Sequence, residues 1–232
     1  MKNTIKVIGF DADDTLWVNE PNYQEAEKEL CRVLEPYLEG EETSKELFRT
    51  EMQNLEIYGF GAKGFLLSMI ETAIRVTNRI ITSEEIGRII VIGKSLLDKP
   101  VVLLDGVESV LQSLQPAYRL ILATKGDLLD QERKLEKSGL AKYFHHIEIM
   151  SDKQEINYRK LLARLDIQPN EFLMVGNSIK SDILPVQAIG AKAIHVPFEV
   201  TWQHEKMHPF SSEVDIVTVD RLADILEMLL RE

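Results

Sequence analysis

The chain has a single cysteine, Cys31, which excludes a disulfide framework and any cysteine-ligated zinc site. It also lacks a block of lysine and arginine: 27 basic residues stand against 38 acidic ones, for a formal net charge of −11. Nucleic-acid polymers and anionic membrane surfaces are held by clustered cations, so neither is an expected partner. No apolar run approaches the roughly 18 residues that a bilayer-spanning helix needs. No leader-like region is expected either, because a strand pattern begins almost at the first residue. Together these absences predict a cytoplasmic globular protein. At 232 residues it is long enough for one large domain or for a domain carrying an insertion.

What the chain does have begins with "IKVIGFDADDTLW". The apolar segment from Ile5 to Phe10 runs straight into Asp11, Asp13 and Asp14. Carboxylates this close repel one another and lose hydration in a cleft, so the cluster requires a compensating charge. Helical periodicity follows, with candidate helices in "YQEAEKELCRVLEPYL", "SKELFRTEMQNLEIY", "KGFLLSMIETAIRVTNRI" and "TSEEIGRIIVIGKSLL". Thr43 and Thr82 are candidate N-caps, the second with Glu85 completing a capping box. From Pro100 onward strands and helices alternate. The strands are "YRLILAT", "HHIEIMS", "EFLMVGN", "AKAIHVP" and a short "VDIVTV", and the last helix is "RLADILEMLLR". Alternation with Val- and Ile-rich strands predicts an α/β fold, a Rossmann-like parallel sheet core flanked by helices. The first strand is expected to join this sheet, with an all-helical domain inserted after it. The expected boundaries are 1–16 and 100–232 for the core and 17–99 for the insertion.

In open parallel sheets, reacting groups gather beyond the carboxyl ends of the strands. Four successive strands here end in polar residues. The first ends in Asp11, Asp13 and Thr15, and the next in "ATKGD", with Thr124, Lys125 and Gly126. The third ends in "SDK" with Lys153, and the fourth in "GNSIKSD", with Asn177, Ser178 and Asp182. In this order the segments resemble the four motifs of the haloacid dehalogenase-like hydrolase superfamily. "DADDT" matches its Asp-x-Asp-x-Thr, Thr124 its strand-terminal Ser or Thr, and Lys153 its lysine. "GNSIKSD" matches its acidic fourth motif in part, and the insertion resembles the family's helical cap.

The resemblance implies phosphoryl transfer, whose requirements these residues meet. Asp11 is the candidate nucleophile, forming an aspartyl-phosphate that splits one hard step into two. Asp13 is the candidate acid and base, first for the leaving oxygen and then for water. Mg²⁺ is the implied cofactor, with Asp11, the Asp13 carbonyl, Asp182 and Asn177 as candidate ligands. Lys153 adds a second positive charge, while Thr124, Lys125 and Gly126 are expected to hold phosphoryl oxygens. The implied substrate is a small phosphate ester.

Two departures from the family pattern stand out. Asn177 replaces the usual aspartate and so removes one negative charge, and Asp14 occupies a slot that is most often glycine. Asp13 itself weighs against carbon–halogen cleavage, because relatives with that chemistry lack the acid.

Several strings imitate other chemistries. "GFGAKG" (Gly59 to Gly64) fits G-x-G-x-x-G but lies between helices rather than after a strand, so a nucleotide fingerprint is not expected. A loop in which Lys63 meets an anionic substrate is the better reading. "HEKMH" (His204 to His208) fits H-E-x-x-H, but Pro209 ends any helix there, and zinc proteolysis is not expected. His145 and His146 are adjacent in a strand and face opposite sides, so no joint role is expected. The alternatives to a Mg²⁺-dependent phosphatase are a phosphomutase with the same intermediate and a weakened, metal-binding relative.

Overall fold

The structure, a computed structural model, describes residues 4–206 and 215–230. By their internal contacts the chain forms two compact units. One comprises Met1–Glu20, Val101–Lys125 and Arg133–Glu232, and the other Pro21–Pro100 and Gly126–Glu132.

The first unit is an α/β fold. Among the described residues its strands are β1 (Val7–Phe10), β2 (Arg119–Lys125), β3 (His146–Met150), β4 (Phe172–Gly176) and β5 (Lys192–His195). They form one parallel sheet in the order β3-β2-β1-β4-β5. The order reverses at β1, which makes the mouth of β1 the switch point where ligands of open sheets bind. The central strand is buried on both faces, and its side chains alternate between two cores. Ile8 and Phe10 join Leu120, Leu122, Leu173 and Val175 on one side, while Val7 joins Ile121, Phe172 and Met174 on the other.

The second unit is helical, built on α1 (Glu20–Leu34), α2 (Gly40–Tyr58), α3 (Ala62–Val76) and α4 (Ser83–Leu97). Leu30, Leu34, Leu47, Met69 and Ile89 are fully buried at its centre. The Thr82–Glu85 capping box at the start of α4 forms as expected. Thr43 does not cap: α2 begins earlier, at Gly40, with Glu41 and Glu42 in its first turn, and Thr43 is buried inside it. In the "GFGAKG" segment Gly59 to Gly61 make the helix–helix turn, with Gly59 and Gly61 at positive φ, and Ala62 to Gly64 open α3.

Three further differences from the sequence pattern concern the α/β unit. Its first helix, α5 (Val107–Leu114), was not expected. At eight residues it is short, and it is stabilised by burying Val107, Val110, Leu111 and Leu114. The expected strand "VDIVTV" is reduced in its described part to a single bridge, Thr218 against His195. Val217 and Val219 supply the two backbone hydrogen bonds to His195. The expected helix after β4 is instead a π-helical turn, Ile179–Ile183, leading into a short α8 (Leu184–Ala188). The remaining helices are α6 (Leu128–Ser138), α7 (Glu155–Leu165) and α9 (Ile225–Leu230).

Candidate active site

Asp11 leaves β1 with its backbone N–H still donating to Val175 O at 2.9 Å. The next residues form a tight turn in which Ala12 O accepts from the N–H groups of Thr15, Leu16 and Trp17. Asp14 takes φ 61° to make this turn, a left-handed conformation that Asp adopts more readily than most residues. Its carboxylate then accepts from the N–H groups of Asn19 (2.8 Å) and Glu20 (3.0 Å) at the start of α1. The aspartate in the glycine slot therefore supports the turn and caps the helix. Burial pushes its carboxyl up to about 7, against the pull of those N–H donors.

Lys153, just before α7, is buried and reaches two carboxylates. Its Nζ bonds to Asp11 Oδ1 and, at 2.7 Å, to Asp182 Oδ1. Burial lowers the affinity of this amine for its proton, but the two carboxylates more than restore it and hold the ammonium charged. Lys160, further along α7, is exposed and does not take this place. Burial pushes Asp11 up to about 7; Lys153 opposes that rise and Asp182 adds to it. Two buried carboxylates thus share one ammonium, and the site is short of positive charge.

The π-helical turn brings Asp182 to this position. Its Oδ2 accepts from Ser178 N–H at 3.0 Å, and Ser178 Oγ accepts from Ser181 N–H at 3.0 Å. Gly176 makes the approach possible, since a Cβ there would lie 2.3 Å from Asp182 Oδ2. Such π turns recur at functional sites because the extra residue re-aims a side chain. Thr15 links Asp11 to Asn177: its Oγ1 lies 3.1 Å from Asp11 Oδ2 and 3.2 Å from Asn177 Oδ1, and accepts from Asn177 N–H at 3.1 Å.

Thr124, Lys125 and Gly126 follow one another where β2 ends. Thr124 is buried and does not cap α6; Asp127 does, accepting from Asp130 N–H at 3.1 Å. Lys125 Nζ bonds to Ser181 Oγ at 2.9 Å and pairs with Glu205, whose carboxylate also accepts from the hydroxyls of Ser178 and Ser181. Glu205 is the glutamate of the "HEKMH" string. Burial raises its carboxyl, but Lys125 and the two serines outweigh burial and hold it at about 2. His204 of that string meets Lys180 instead, and His208 lies outside the described residues. In the helical unit, Lys63 is half-exposed and bonds to both oxygens of Asp127, at 2.9 and 3.1 Å.

Asp13 is oriented by groups that the sequence did not single out. Its Oδ1 accepts from Trp17 Nε1 at 2.7 Å and from Lys134 Nζ at 3.0 Å. Lys134 is 121 residues from Asp13 and Glu205 is 80 residues from Lys125, and no sequence spacing ties either to its partner.

Oxygen donors from Asp11, Asp182 and Asn177, with the Asp13 backbone carbonyl, suit a hard divalent cation. The deficit of positive charge around Asp11 fits such an ion. Among the described residues no three His, Cys, Asp or Glu side chains converge as a metal cage. A cation here would therefore draw on amide and backbone oxygens and on water, as Mg²⁺ commonly does.

Residues 5–190 match the family model for haloacid dehalogenase-like hydrolases. The chain belongs to that family and is a hydrolase. It is 40% identical to a haloacid dehalogenase-like family hydrolase from Xanthomonas campestris, with TM-score 0.81 over 89% of this chain and 87% of that one. The putative hydrolase YfnB from Bacillus subtilis, solved with magnesium bound, shares the fold at 17% identity and TM-score 0.68, over 99% of this chain and 100% of that one. Glyceraldehyde 3-phosphate phosphatase from Methanopyrus kandleri is 22% identical over 97% of each chain. Its counterpart from Methanothermobacter thermautotrophicus is 29% identical over 48% of this chain, and the match spans only 51% of that protein. Among the described residues no helix is long and apolar enough to cross a membrane.

Proposed function

We propose that this hydrolase is a Mg²⁺-dependent phosphatase of small phosphorylated metabolites, working through an aspartyl-phosphate on Asp11. The observation that carries the reading is the buried Lys153 ammonium held between Asp11 and Asp182 at the switch point of the sheet. A fixed cation there neutralises charge on the attacking carboxylate and on the phosphoryl oxygens. One Asp11 oxygen forms a bond to phosphorus as the ester P–O bond breaks, and Asp13 gives its proton to the departing oxygen. Asp13 then takes a proton from the water that attacks phosphorus, which releases phosphate and restores Asp11. Thr124, Lys125 and Gly126 hold the phosphoryl oxygens. Mg²⁺, held by Asp11, Asp182, Asn177 and the Asp13 carbonyl, supplies further charge neutralisation.

In this reading residues 1–16 and 100–232 form the catalytic core. Residues 17–99 form a substrate-selecting cap, with Lys63 contacting the substrate. The division of the chain near residues 20 and 100 supports that assignment, and the names of the archaeal relatives support the substrate class. A cytoplasmic location, where phosphorylated metabolites are found, belongs to the same reading.

The test is hydrolysis of p-nitrophenyl phosphate by wild type and Asp11→Asn, with Mg²⁺ and with EDTA. We expect activity that requires the metal and falls by at least about a thousandfold in the variant. Turnover surviving in Asp11→Asn sinks the aspartyl-phosphate.

A further inference from the structure

We infer that Lys134, together with Trp17, is a positioning residue that fixes the Asp13 carboxylate for proton transfer. The inference rests on the phosphatase reading above and adds to it residues that lie outside the four motifs.

The observations form a closed chain of contacts within the α/β unit. Trp17 is almost fully buried, and its backbone bridges to Leu103. That fixes the indole, and its N–H points back at Asp13 Oδ1 at 2.7 Å. Lys134 stands in the middle of α6, and its ammonium meets Asp13 Oδ1 at 3.0 Å, Asp13 Oδ2 at 3.2 Å and Asn19 Oδ1 at 2.7 Å. Asn19 is held in turn through its N–H by Asp14. A long lysine side chain is thus immobilised on the carboxylate, an ordering that costs side-chain entropy and has no evident role in the core.

The two oxygens of Asp13 are not equivalent. Oδ1 takes the indole bond and the shorter lysine bond and Oδ2 only the longer lysine bond at 3.2 Å, so the transferable proton is assigned to Oδ2. In the first half-reaction the Oδ2–H bond breaks and the leaving oxygen gains that proton as its bond to phosphorus breaks. In the second half-reaction Oδ2 takes a proton from water. Both transfers need the carboxyl within hydrogen-bond reach of the reacting oxygen, and small displacements are costly.

The effect of this positioning can be read from the leaving group. Proton donation matters more when the departing oxygen is more basic, so phenyl phosphate depends on it more than p-nitrophenyl phosphate does. The ratio of kcat/KM for these two substrates isolates that step, because aspartyl-phosphate hydrolysis is common to both.

The experiment compares wild-type protein with Lys134→Gln, Lys134→Arg and Trp17→Phe, and uses Asp11→Asn as the control. If Lys134 positions Asp13, Lys134→Gln lowers kcat/KM for phenyl phosphate about tenfold more than for p-nitrophenyl phosphate. Lys134→Arg recovers most of that difference, and Trp17→Phe shifts the ratio in the same direction as Lys134→Gln. An equal loss on both substrates, as a purely structural role would give, overturns the inference; so does a ratio that moves in favour of phenyl phosphate. If Lys134→Gln does not fold, the ratios in Lys134→Arg and Trp17→Phe decide, and wild-type ratios in both overturn it. Activity that survives in Asp11→Asn, or a wild type inactive on every aryl phosphate, overturns the underlying phosphatase reading as well.

Discussion

Glu205 illustrates how a single side chain ties separate segments together. Its carboxylate is bonded to Lys125 from β2 and to Ser178 and Ser181 around the π-helical turn. The sign of its contribution to stability follows from its pKa, which lies at about 2 in the folded chain against 4.5 unperturbed. The folded state prefers the carboxylate, so the stabilisation is complete above pH 4.5 and is lost as the pH falls toward 2. The gap corresponds to roughly 3 kcal/mol. Urea midpoints measured between pH 2.5 and 6 should therefore fall more steeply for wild type than for Glu205→Gln. Parallel curves would show that the carboxylate is not what ties these segments. Sequence reading met this glutamate only inside a protease-like string, because its partners come together through the tertiary fold.

Among the elements, β1 shows how packing dictates a residue. Gly9 sits at the centre of the sheet, where an added Cβ would meet the Phe172 ring at 2.7 Å and the Met174 sulfur at 3.1 Å. Both neighbours are themselves buried, so they have little room to move. Gly9→Ala should lower stability by roughly 1–3 kcal/mol through overpacking, measured as a drop in the urea midpoint. A midpoint equal to wild type would mean that the strand can shift. The helices and strands were legible from periodicity because each must bury a face, and the Thr82–Glu85 cap was legible because its partners are three residues apart. Thr43 misled because a cap is decided by where the helix starts, and the start of α2 lies earlier, at Gly40. The short α5 was not legible because its apolar face is decided by tertiary neighbours.

For the whole molecule, the charge deficit around the first motif links stability, pH and metal. Asp11 and Asp14 are both pushed up to about 7 by burial, against 3.8 unperturbed. Between those values the folded state binds more protons than the unfolded one, so in EDTA the stability from these groups falls as the pH rises through 7. A cation that binds the carboxylate form reverses that loss and competes with protons. At a hundredfold excess over its Kd it adds about 2.7 kcal/mol. Thermal melts should therefore show Mg²⁺ raising Tm by several degrees at pH 7.5 and by less at pH 5. An equal rise at both values would place the ion away from Asp11.

The amino-acid sequence by itself determined the parallel α/β core, the helical insertion and the identity of the four motif segments. These depend on local periodicity and on residues that each end a strand. Only the tertiary structure decided how the site is held together. Lys153 is buried between two carboxylates separated from it by 142 and 29 residues, Asp13 is bonded to Lys134 121 residues away, and Lys125 is paired with Glu205 80 residues away. Spacing along a chain carries no information about such pairs. The sheet order and the extra residue of the π-helical turn bring them within bonding distance, and burial then makes each pairing obligatory.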